Sequence, residues 1–377
     1  MSATDLKIGE VEALIAQAST PDEARELRDG QSGDTDFPFI GSMKVLATIG
    51  EIDRDTGAAL TGYPDGNAAF LADEDTVRVV YQSESYGLMS NETYGWVMDS
   101  GVSFTGSHVH YIDYDRAAFA DFLSSGRPAS DMVEGSGHLF STVYNQFGLE
   151  VDLNSANPLA QVWGNQATPD GTVIDFDADL QLQQADFFFQ SFCGAWYEQA
   201  NRYGDGIGFE SDVWLAAEEW NIQYVFPNGN ADAIETLGLA AVVVDVDNEV
   251  AYTAPALGQS GYEKILPINP LSEDYVVLVL AGYNYEQEPA PLKIYVGRKD
   301  MDADGNAVDY ATASARDTFL AQNGLLHGKI YGMAVENSAY GALGIDTVDA
   351  NAKMFDTYMR DAGAADTFDV RFYATDY

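Results

Sequence analysis

From Phe37 onward the chain is a succession of short β-branched and aromatic runs punctuated by Gly, Asn, Asp and Pro. Val77–Tyr81, His108–Ile112, Ala240–Val246, Tyr275–Ala281, Leu292–Val296 and Lys329–Val335 have the length and composition of strands, and pairs such as Asp170-Gly171 and Pro227-Asn228-Gly229 mark turns between them. This spacing predicts an all-β protein, either a sandwich or a propeller. No fixed-period repeat runs through the sequence, so self-similarity does not choose between them. Helical periodicity is confined to two places. Val11, Leu14 and Ile15 are three and four apart within 4–29, with Leu6 ahead of them, and Pro21 starts a second acidic turn. Near the other end Asp349 suits an N-cap, Met354, Phe355, Tyr358 and Met359 share one face, and Gly363 lies just beyond. The expected organisation is an acidic helical arm over 1–36 and a β domain over 37–377 with a helix near its C-terminus.

Charge changes this picture more than size does. Sixty Asp and Glu stand against 18 Lys and Arg, a formal charge of −42. With 46% hydrophobic and 12% aromatic residues the chain still has the apolar surface for a sizeable core. So large an acidic excess repels nucleic acid and anionic membranes, which excludes a phosphate-backbone binder. It fits a marine or halophilic protein in salt that screens self-repulsion, with a fraction of the carboxylates left to bind cations. No apolar run approaches the ~18 residues of a membrane span: Leu239–Val244 stops at Asp245, and Tyr275–Ala281 stops at Gly282. The segment Met1-Ser2-Ala3-Thr4-Asp5-Leu6 lacks the basic and apolar regions of a secretory signal, so an exported form would have lost its signal.

Candidate chemistry begins with Cys193, the single cysteine. One thiol forms no intrachain disulfide, which leaves a buried apolar plug, a nucleophile or a metal ligand. The segment it opens ends in the paired carboxylates Glu218 and Glu219. Asp300, Asp302 and Asp304 followed by Gly305 match the first half of an EF-hand loop, but the twelfth position is Ala311 and the sequence predicts no flanking helices. That leaves a calcium-binding insertion or a solvated acidic turn. His108 and His110 fall on one face of a strand, where they are an incidental pair or two ligands in want of a third. Gly204-Asp205-Gly206-Ile207-Gly208 and Gly258-Gln259-Ser260-Gly261 miss the spacings of a dinucleotide fingerprint and a nucleophile elbow.

Several strings occur in a telling order. Pro64-Asp65-Gly66 comes first, then Gln82-Ser83-Glu84, then Phe192-Cys193-Gly194 leading to Glu218-Glu219-Trp220. Leu257-Gly258-Gln259-Ser260-Gly261-Tyr262-Glu263 follows, then Gly282-Tyr283-Asn284, Ile294-Tyr295-Val296-Gly297-Arg298-Lys299 and Asn323-Gly324-Leu325-Leu326-His327-Gly328-Lys329-Ile330-Tyr331-Gly332. In this order the chain, over roughly residues 60 to 377, resembles the PhoX-type calcium-dependent alkaline phosphatases. The resemblance implies a β-propeller with long loop insertions and an iron and calcium cluster held by Cys193, Glu84, Glu218, Glu219, Glu263 and the position of Asn284. It implies Arg371 as a phosphate contact, a phosphate-ester small molecule as substrate and an extracellular or periplasmic location. The chain departs from the family at Gln82 and Ser83, where Asn-His is usual, at Asn284, where a carboxylate is usual, and at Tyr373, where a glutamate is usual. Relatives also continue past the position of Tyr377 through further blades, which implies a truncated or shorter form. Two functions follow: a metal-dependent phosphoric-ester hydrolase, or a propeller that has lost catalysis and serves as a calcium-stabilised binding or cell-surface module.

Overall fold

A computed structural model describes residues 8–9, 45–53, 55–57, 59–60, 62–84, 96–104, 107–144, 150–152, 189, 192–219, 241–258, 261–282, 292–335 and 370–374. The described residues are mostly β, as the alternating runs require. Their strands are β1 (Tyr63–Leu71), β2 (Thr76–Glu84), β3 (Trp96–Val97), β4 (Ser103–Phe104), β5 (His108–Asp115), β6 (Val133–His138), β7 (Thr142–Tyr144) and β8 (Trp196–Glu198). They continue with β9 (Val213–Ala217), β10 (Ala241–Asp245), β11 (Val250–Thr253), β12 (Tyr262–Ile268), β13 (Tyr275–Gly282), β14 (Leu292–Arg298), β15 (Gly328–Val335) and β16 (Val370–Ala374). All six runs read from the sequence are strands. The helical pattern in 4–29, apart from Ile8 and Gly9, and the helix expected after Asp349 lie outside the described residues.

Three sheets carry the architecture. The first has the order β1-β2-β5-β6, the second β7-β11-β10-β9-β8 and the third β12-β13-β14-β15-β16, with β3 and β4 forming a separate hairpin. Pairing is antiparallel throughout except between β11 and β7. The first and third sheets run as meanders outward from the edge strands β1 and β12, and the second does so from β8 as far as β11, with β7 added in parallel at its far edge. The three edges meet, β8 packing against both β1 and β12.

The second sheet lies between the other two, and its alternation shows why. On β9 and β10 every residue is buried. Trp214, Ala216, Val242 and Val244 face the first sheet, where they pack with Val80 and Val109. Val213, Leu215, Ala217, Ala241 and Val243 face the third, packing with Ile265, Leu278, Leu280 and Tyr295. A strand buried on both faces needs apolar residues at every position, which is the continuous run seen in the sequence. The outer face of the first sheet has its own core of Val79, Ile112, Tyr114, Phe122 and Met132, closed by Ile8. The described part of the N-terminal arm is thus seated on that sheet, with Gly9 donating its N–H to the buried Glu51 carboxylate at 2.8 Å.

Two short helices went unforeseen. Helix α1 (Arg116–Asp121) is capped by Asp115, which accepts from the Ala118 N–H at 2.6 Å. Helix α2 (Ala315–Gln322) is capped by Ser314, which accepts from the Asp317 N–H, and it buries Phe319, Leu320 and Ala321. Both are too short to print a 3.6-residue period in the sequence, so only their caps announce them.

Candidate metal centre

The meeting point of the three edge strands holds the candidate site. Cys193 sits just ahead of β8, and two groups of ligand atoms share its sulfur. Asp65, Glu84 and Cys193 have ligand atoms all within 4.8 Å of one another, and so do Cys193, Glu219 and Glu263. The Cys193 thiol donates to Glu263 Oε2 at 3.0 Å. One soft donor and four hard ones therefore converge from all three sheets.

Two of these carboxylates are aimed by β-bulges. On β1 the register slips between Pro64 and Asn67, so that Asp65 and Gly66 together oppose the single residue Gln82. On β12 it slips between Tyr262 and Lys264, leaving Glu263 as the extra residue. A bulge bends an edge strand and turns a side chain out of strict alternation, which is how Asp65 and Glu263 come to point at the neighbouring sheet. Close backbone approach makes this work. A Cβ on Gly66 would collide with Ala195, and a Cβ on Gly194 would collide with the carbonyl oxygen of Glu263. The other two carboxylates follow ordinary strands: Glu84 ends β2, and the buried Glu219 lies two residues past β9.

The backbone of Cys193 is held by Gln82, a fully buried side chain. Its amide nitrogen donates to the Cys193 carbonyl, and its amide oxygen accepts from the Trp214 indole at 2.8 Å. One residue thereby ties the first sheet to the second beneath the site. Lys264, adjacent to Glu263, donates from Nζ to the Ala195 carbonyl. Burial pulls its ammonium below the usual lysine range, against the attraction of Asp65 and Cys193.

The donors fit a mixed hard and soft cation site. Burial pushes the Cys193 thiol well above its usual range, and hydrogen bonds to Asp65, Glu219 and Glu263 push the same way. With these groups alone the sulfur keeps its proton; a bound cation would take its place among the carboxylates, as thiolate ligation demands. Carboxylate oxygens suit calcium, while the thiolate suits iron or zinc.

The remaining expected residues fall elsewhere. Glu218 is buried and bridges to Phe192 through the backbone, but it belongs to neither group of ligand atoms. Asn284 lies outside the described residues. Arg371 is on β16, opposite Ala334. Asp300, Asp302 and Asp304 lie in the turn after β14, where Asp302 accepts from the Asn306 N–H at 2.7 Å and Asp300 accepts from the Tyr310 hydroxyl. Among the described residues these three aspartates do not gather their carboxylates into a group of ligand atoms.

Sequence reasoning passed over Asp65 and Lys264 as members of the site. Asp65 had a signal, since Pro-Asp-Gly at the head of a strand marks a break in pairing. Lys264 had only its position beside Glu263. Comparison of the chain with protein-family models, with curated proteins and with solved structures gives no match.

Proposed function

We propose that this chain is a metal-dependent phosphoric-ester hydrolase of the PhoX kind, exported into a saline medium, with a calcium and iron centre at Cys193. The observation that carries this reading is the convergence of Cys193, Asp65, Glu84, Glu219 and Glu263 at the meeting of three sheet edges, two of the ligands presented on bulges. Three meanders radiating from edge strands that face a common centre also support a propeller-like arrangement of blades. Cys193, Glu219 and Glu263 would hold iron, and Asp65 and Glu84 would complete a calcium position beside it. Such ions polarise a phosphoryl oxygen and make a nucleophile of bound water at neutral pH.

The chain's own residues prepare that site. Cys193 would yield its proton on ligation. Gln82 fixes the Cys193 backbone, and Phe192 and Trp214, both fully buried, belong to the core between the first two sheets. Lys264 brings a positive charge to a cluster otherwise composed of carboxylates, which limits their mutual repulsion.

The degenerate calcium-binding module has one observation in its favour. Both polar ends of Gln82 are engaged within the fold, so this position offers no group to a substrate. Elemental analysis and an aryl phosphate assay separate the two. Stoichiometric iron with calcium, hydrolysis of the ester, and loss of iron but not calcium in Cys193→Ala are expected of the hydrolase. Calcium without iron and no hydrolysis would establish the module; iron content unchanged in Cys193→Ala would remove the sulfur from the site.

A further inference from the structure

Four histidines occur in the whole chain, and three of them are neighbours. His108 and His110 lie two apart on β5, and His138 ends β6 directly opposite His110 in the antiparallel register. Their ring centroids are 4.1, 5.0 and 5.3 Å apart, and one nitrogen from each ring lies within 4.8 Å of the others. His108 and His110 are 1% and 3% exposed, which a surface pair would not be. In so histidine-poor a chain, three imidazoles at one point of one sheet are not an average of composition.

The alternation of β2 separates this cluster from the Cys193 centre. Tyr81 and Ser83 lie opposite His110 and His108, so they share a face with the histidines. Gln82 and Glu84 point the other way, to Cys193. Two donor sets thus sit at the same end of one sheet on its two faces, and their chemistries differ. The Cys193 centre offers oxygen and sulfur. The histidine cluster offers nitrogen alone, since no carboxylate joins its group of ligand atoms among the described residues. Burial pulls the His138 imidazole down to about 4, so at neutral pH it is uncharged and able to ligate.

We propose that His108, His110 and His138 form a second, independent metal site that takes a divalent transition ion of the zinc class. Three imidazoles match the nitrogen preference of zinc, cobalt, nickel and copper, and they are poor ligands for calcium. Nitrogens around a tetrahedral ion at zinc-like bond lengths stand ~3.3 Å apart, within reach of small rotations of rings already inside 4.8 Å. With His110 and His138 on adjacent strands, an ion there would clamp β5 to β6 at the open end of the hairpin. The site stands whether or not the chain hydrolyses phosphate esters.

Cobalt(II) titration of the full chain carrying Cys193→Ala tests it, because this background has no thiolate to supply the spectrum. Visible ligand-field bands saturating at one equivalent are expected, displaced by zinc and lost in the added pair His110→Phe and His138→Phe. Copper(II) bound to the Cys193→Ala protein, with its histidines intact, should show nitrogen hyperfine splitting by electron paramagnetic resonance. That readout holds even if the double replacement fails to fold. Absence of the cobalt bands, bands undiminished in a folded double variant, or a copper signal without nitrogen splitting would each overturn the site.

Discussion

At the Cys193 centre carboxylates arrive one at a time from separate strands, whereas in the turn after β14 three of them arrive together from five consecutive residues. The second arrangement looks richer in the sequence and is poorer in space. Asp302 turns back to the Asn306 backbone, Asp300 meets Tyr310, and Gly305 donates to the Asp302 carbonyl at 2.9 Å, so the turn uses its acids to close itself. At the centre the acids cannot satisfy one another. Asp65, Glu84, Glu219 and Glu263 are brought there by sheets that bury their apolar faces, and the repulsion among them is opposed by the packing of strands such as β9 and β10. Acid density along a chain therefore says little about a cation site; convergence enforced by a core says much.

The sharpest way to break that contrast is at Glu263. Glu263→Gln keeps the shape of the bulge and removes the charge, so ester hydrolysis should fall by about two orders of magnitude while circular dichroism and the unfolding midpoint change little. Activity equal to the unaltered protein would show that convergence here has no catalytic meaning.

Next in size is the tie beneath the site. Gln82→Leu leaves the Cys193 carbonyl and the Trp214 indole buried without their partner, which should cost about 2–4 kcal/mol in denaturant unfolding. It should also weaken iron binding, since the sulfur loses the backbone anchor that positions it. A stability change within about 0.5 kcal/mol, the scatter of ordinary surface substitutions, would mean that the first and second sheets are held together without this contact.

How much of this was readable in advance differs between the two regions for a physical reason. Strands announce themselves by composition, so β2, β5, β10, β13, β14 and β15 were all legible. Cys193 stood out as the single cysteine and Glu219 as one of a pair, whereas Glu84 and Glu263 were legible only through the order of motifs, because nothing local marks a residue as convergent. Asp65 and Glu263 owe their aim to bulges, and a bulge depends on which strand pairs with which. His138 was invisible for the same reason. It lies far along the chain from His110, beyond α1, and becomes its neighbour only when β6 pairs with β5. The acidic turn, by contrast, is entirely local. Its motif was conspicuous, and its geometry turned out to be that of a self-closed turn.

A subtler effect distinguishes the regions by sign. Glu219 is the buried member of its cluster; Glu219→Gln removes its charge, so in chelator the variant should melt a few degrees above the unaltered protein, the repulsion having been relieved. With calcium and iron restored the order should reverse, since ions that bind only the folded state stabilise it in proportion to their affinity. Differential scanning calorimetry in the two conditions reads both. A variant that melts lower in chelator as well would show that Glu219 is held by its protein contacts and not opposed by its neighbours.

The smallest effect belongs to the turn. Asp302→Asn retains an oxygen that accepts from the Asn306 N–H, so the turn should keep its conformation. The carboxyl of Asp302 is held below its usual range chiefly by that backbone hydrogen bond, which the amide replaces in geometry if not in charge. Calcium stoichiometry should therefore be unchanged, and the melting temperature should move no more than it does for a neutral substitution elsewhere on the surface. Molar sodium chloride should then act alike on the variant and the unaltered protein, because screening does not distinguish one exposed carboxylate from the other 59 acids. Loss of one calcium equivalent on this single change would make the turn a binding site after all. It would show that three acids on alternate residues can reorganise around an ion without a core to converge them, and the contrast with the Cys193 centre would then rest on affinity alone.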